Sequence, residues 1–85
     1  MAIAYVIQES ALGCHSVAFD EHAVTRMAER NVSEDEILAV LRTPDQTGLK
    51  TQVNRFRYRK VLAGRRVDVV FEHDPTQIVV ITVIA

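Results

Sequence analysis

The chain has 85 residues, 48% hydrophobic and 25% charged, with a formal net charge of −1. That leaves room for one domain with one modest core, and it excludes a disordered chain or a second lobe. The longest apolar run, IVVITVIA at the C-terminus, falls well short of the roughly 20 residues that a membrane-spanning helix needs.

The opening MAIAYVIQES has no basic leader and soon meets Gln8 and Glu9, so no signal peptide is expected. The single cysteine, Cys14, excludes an intramolecular disulfide and fits a reducing cytoplasm. A domain this small without staples is marginally stable, and a partner or a homodimer would help it. Residues 1–85 are expected to form a single domain, with residues 1–18 as an N-terminal strand and loop and 19–84 as the core.

In chain order, AYVI predicts a short strand, and ESALGCHSVAF (9–19) has no clear period and reads as loop. Asp20 can cap a helix that runs to about Arg30 with Ala23, Val24, Met27 and Ala28 on its apolar side. Asn31 suits the left-handed residue that ends it. Ser33 opens a second helix, Glu36 completes its capping box, and Pro44 stops it after Ile37, Leu38, Val40 and Leu41 have turned inward.

The period then changes. VNRFRYRKV alternates strictly, with Phe56 and Tyr58 on one face and Arg55, Arg57 and Arg59 on the other. RRVDVVFEH and QIVVITVI follow, the latter after DPTQ, a plausible type I turn with Pro75 at its second position. A two- or four-residue connection through LAGR sets Phe56 opposite Phe71, Tyr58 opposite Val69, Arg55 opposite Glu72 and Arg59 opposite Asp68. A three-residue loop would break this agreement. In that register Arg57 faces Val70 and meets no acid. The last strand is apolar on both faces, so helices are expected over one, and the N-terminal strand or a second subunit over the other. The expected architecture is α+β: an N-terminal strand, two short helices, then a three- to four-stranded antiparallel meander.

Charge is unevenly placed along this frame. Residues 1–49 hold three basic and eight acidic side chains, whereas KTQVNRFRYRKVLAGRR (50–66) holds seven basic residues and no acid. Arg57, Lys60, Arg65, Arg66 and Lys50 find no acidic partner in the register, and clustered unpaired arginines match phosphate oxygens. The plainer reading is ordinary cross-strand pairing, which accounts for Arg55 and Arg59.

On the first helix, HAVTRMAER puts His22, Arg26 and Arg30 four residues apart, one above another on one stripe. Histidine suits proton transfer at neutral pH, and arginines suit charge developing on a phosphate. A stripe that merely pairs with Glu21, Glu29 or the helix C-terminus is the plainer alternative. Tyr58 reads as core by its alternation, although its hydroxyl could reach a substrate at a sheet edge. Cys14, His15, His22 and His73 lack closed zinc spacing, and no metal or other cofactor is expected. No glycine-rich phosphate loop and no nucleophile elbow is present.

FDEHAVTRMAERNVSEDEILAVLRTPD, FRYRKVLAGRRVDVVFEHD and the closing IVVITV together resemble a family of small bacterial proteins, domain-of-unknown-function family 4258. The resemblance covers about residues 19–84, and its most specific piece is His-Ala-x-x-Arg-Met-x-x-Arg at 22–30. Asn31 stands where the family usually has glycine, and both residues tolerate positive φ. That family is similar to the RelE-type and barnase–EndoU–colicin (BECR) toxin folds, which cut RNA without metal. The resemblance implies a toxin-like ribonuclease with an antitoxin partner. By position, His22, Arg26 and Arg30 match the helix motif, Arg57 and Arg65 the basic hairpin, and Thr82 the polar position in the last strand.

Both lines give one expectation: a metal-independent endoribonuclease acting through 2′-hydroxyl attack. His22 would move the proton, Arg26, Arg30, Arg57, Arg65 and Arg66 would hold phosphate, and Tyr58 or Thr82 would orient it. The alternative is a non-catalytic module that binds RNA or a protein partner through the same surface.

Overall fold

A computed structural model describes residues 2–8, 16–47, 55–73 and 76–85. Along the chain run β1 (Ile3–Ile7), β2 (Ser16–Asp20), α1 (Glu21–Arg30), α2 (Glu34–Arg42), β3 (Arg55–Leu62), β4 (Arg65–His73) and β5 (Gln77–Ile84). The fold is α+β, with two helices on one face of a five-stranded sheet ordered β1-β2-β5-β4-β3. The sheet is mixed: β2 runs parallel to β5, and the other neighbours are antiparallel.

The helix boundaries follow local chemistry. The Asp20 side chain accepts from the His22 backbone N–H at 3.2 Å and caps α1. Asn31 ends α1 in the left-handed region (φ 54°, ψ 49°). At α2 the capping box is complete: the Glu36 N–H donates to Ser33 Oγ at 3.1 Å, and the Ser33 N–H donates to Glu36 Oε1 at 2.9 Å. Thr43 and Pro44 follow the last helical residue, Arg42.

Strand register follows side-chain alternation. Phe56 pairs with Phe71, Tyr58 with Val69, Arg55 with Glu72 and Arg59 with Asp68, through a two-residue turn at Ala63–Gly64. Val67, Val69 and Phe71 of β4 enter the core beneath the helices with Ile37, Val40 and Leu41. The other sheet face carries Arg55, Arg57 and Arg59, as the alternation requires.

Two expectations need correction. The segment expected as loop contains β2, where Val17, Ala18 and Phe19 are fully buried. An interior strand beside a parallel neighbour is buried on both faces, so it shows an apolar run instead of alternation. The sheet accordingly has five strands, with β2 standing between the N-terminal strand and the strands that follow the helices, and it is mixed where antiparallel pairing was expected. The N-terminal strand expected over the second face of β5 lies instead at the sheet edge beside β2, and on that face Val79 and Thr82 are half-buried and Ile84 is exposed. The expected turn at Pro75 lies outside the described residues.

Candidate functional site

β2 pairs with β5 only from Ser16↔Gln77 to Phe19↔Val80. At Asp20 the chain leaves the sheet and becomes α1, which packs against β5 in place of a strand. The stripe of α1 therefore lies beside the second half of β5. A recess of about 310 Å³ opens there, lined by His22, Arg26, Arg30, Thr82, Val83 and Ile84. Four of the residues singled out by sequence thus meet in one place, with Arg30 and Thr82, the nearest of them across the two elements, 52 positions apart in the chain.

In this recess Arg26 makes one weak contact, to Glu29 at 3.4 Å across an exposed turn of helix. No ion pair engages the side chains of His22 or Arg30 among the described residues. No acidic residue lines the recess. Such an arrangement offers one imidazole and two guanidiniums to an anion, with Thr82 on the β5 wall.

The chain matches the family described as Domain of unknown function (DUF4258) over residues 19–85. It belongs to that family. The matched region contains every residue of the recess and leaves out residues 1–18, which include β1 and the first three residues of β2. No curated protein and no solved structure matches the chain.

The basic hairpin of this DUF4258 chain differs from its expected state. Arg57 is not free: its Nε donates to Asp68 Oδ2 at 2.8 Å, reaching diagonally past its direct neighbour Val70. Arg59 bonds both Asp68 oxygens, at 2.9 and 3.1 Å. Burial would raise the Asp68 carboxyl, but hydrogen bonds from Arg59 and Arg57 and their charges outweigh it and hold it below its ordinary value. Asp68 is 1% exposed and serves as the hub of this face.

Arg65 is also engaged. Its guanidinium donates to the Arg30 and Asn31 carbonyls at 3.0 Å each and to Glu36 Oε2 at 2.8 Å. It ties the hairpin tip to the end of α1, which identifies a clamp rather than a free phosphate ligand. The Glu36 carboxyl is lowered, chiefly by the Ser33 backbone N–H and then by Arg65. Lys60 donates to the Thr43 carbonyl at 2.7 Å and lies 3.7 Å from Asp45. Arg66 is exposed and has no ion pair among the described residues, and Lys50 lies outside them.

Tyr58 lies on the helix-covered face, edge-on to Phe71 with ring centroids 4.8 Å apart, and does not line the recess. Arg57 shares the open face with Thr82. The pairings Arg57↔Val70 and Val70↔Thr82 put them in one row, about 10 Å apart by strand spacing. Reading residues directly opposite missed the Arg57–Asp68 bond; the signal was the diagonal neighbour two positions along the partner strand.

Proposed function

We propose that the chain binds single-stranded RNA at the α1–β5 recess and cleaves it by 2′-hydroxyl attack. The observation that supports this is the convergence of His22, Arg26, Arg30 and Thr82 on one acid-free recess. An imidazole nitrogen takes the 2′-hydroxyl proton, the 2′-oxygen attacks phosphorus, and the bond to the 5′-oxygen breaks. Water at the open mouth protonates the leaving oxygen. Arg26 and Arg30 offset the charge that grows on the phosphate oxygens, and Thr82 orients them. The products are a 2′,3′-cyclic phosphate and a 5′-hydroxyl. This chemistry asks nothing of Tyr58 or Arg65, whose contacts are structural.

The test compares wild type with His22→Ala on RNA, and on the same RNA with 2′-O-methyl groups. His22 is exposed, so the variant is expected to keep its fold. Cleavage of unmodified RNA should fall by roughly 10²–10⁴-fold, the usual contribution of a positioned acid or base, and methylated RNA should resist both proteins. Equal cleavage by the two proteins, or none by pure wild type alone or with ribosomes, rejects catalysis.

A second reading, docking of a protein partner, is favoured by the helix-free sheet face. There Val6 and Ile84 are 47% and 42% exposed, in register with Ala18 and Asp68. An antitoxin-like partner or a second copy of the chain would suit that face.

A further inference from the structure

The main chain of β5 adds something to the recess that its side chains do not. Val80 is the last residue of β5 in register with β2, so along Ile81–Ile84 the strand has its ladder on the β4 side, and alternate residues turn their N–H and C=O to the other side. No backbone bond from another segment reaches these residues on their other side among the described residues. Side-chain directions then fix what the recess touches. Val83 is 2% exposed with its side chain in the core, while Thr82 and Ile84, opposite Val70 and Asp68, carry theirs on the helix-free face. A recess lined by all three, and by α1 across from them, runs along their backbone edge.

A free strand edge presents N–H donors and C=O acceptors side by side. A phosphate oxygen accepts only, so it satisfies the donors and leaves the carbonyls unmet. A nucleobase edge carries both kinds of group and can meet both. The arginine stripe, in contrast, is all donor and all positive, and it suits the phosphate. The two walls of the recess therefore ask for different parts of one ligand, a phosphate on the α1 side and a base edge on the β5 side.

We infer that the recess holds a single unpaired nucleotide, its phosphate on Arg26 and Arg30 and its base read by the free main-chain edge of Ile81–Ile84. This rests on the RNA reading above but not on cleavage. The site is then base-selective as well as anion-binding, and the selectivity lies in backbone that no side-chain substitution removes.

The test is an amide NMR titration of the whole chain with four 2′-O-methylated dinucleotides that differ only in the 5′ base. An abasic analogue and inorganic phosphate serve as comparisons, and methylation prevents turnover. All phosphate-bearing probes should shift the amides of α1 near His22, Arg26 and Arg30. Only base-bearing probes should shift the amides of Ile81–Ile84, and the best and worst bases should differ in affinity by about fivefold or more, the effect of one hydrogen bond made or missed. Base-dependent binding by a protein that does not cut RNA would uphold this inference and reject catalysis. Equal affinity for all four bases and the abasic analogue, undisturbed Ile81–Ile84 amides, or no binding of any probe would overturn it.

Discussion

Asp68 is the residue on which the open sheet face depends. Its carboxylate is 1% exposed and takes hydrogen bonds from Arg57 and Arg59, whose own side chains are 27% and 25% exposed. Asp68→Asn removes the charge and leaves two guanidiniums facing a neutral amide. Breaking a buried pair costs about 3–5 kcal/mol, and partial solvation of the arginines places this case near 3. Urea denaturation should show that loss, and a loss under about 1 kcal/mol would contradict the hub. The pH dependence has a definite sign. Because the folded carboxyl lies below its ordinary value, its stabilisation is fully present above the unfolded value near 4 and disappears as pH falls through the folded one. Wild type should therefore lose stability steeply below about pH 4, and Asp68→Asn should lose less over the same range.

The β3–β4 hairpin carries its strain at the turn. Ala63 and Gly64 both have positive φ, 51° and 78°, the pattern of a two-residue type I′ turn. Glycine adopts it freely, whereas an alanine there costs roughly 1 kcal/mol. Ala63→Asn should raise stability by about 0.5–1 kcal/mol in a thermal melt, because asparagine tolerates the left-handed region. An unchanged or lowered melting temperature would mean that the turn is not strained. The caps of α1 and α2, and this hairpin's register, were legible in the sequence because each depends on residues close together in the chain. Strand β2 was not: Val17, Ala18 and Phe19 owe their burial to β5, about sixty residues away, and no local period records that neighbour. The end of β2, which frees the edge of β5, was hidden for the same reason.

Over the whole molecule, the seventeen-residue basic segment is largely neutralised by folding. Arg55, Arg57, Arg59, Lys60 and Arg65 all have acidic partners, supplied by β4, by α2 and by Asp45. The sequence pointed to this hairpin as the phosphate contact because linear charge counts cannot see acids that arrive from elsewhere in the fold. The α1 stripe was legible because the helical repeat alone sets it. Its company, Thr82 and the β5 edge, was not, because strand order decides it. The site and the hairpin therefore make opposite predictions about RNA binding, and the salt dependence of affinity separates them. Each phosphate neutralised on a single strand contributes about 0.7 to the slope of log K against log salt. Arg26 and Arg30 share one phosphate, so Arg26→Gln with Arg30→Gln should lower the slope by about 0.7, and Arg57→Gln with Arg65→Gln should leave it unchanged, since paired arginines release few counterions. A slope that falls with the hairpin pair and holds with the α1 pair would contradict the assignment of RNA to the recess.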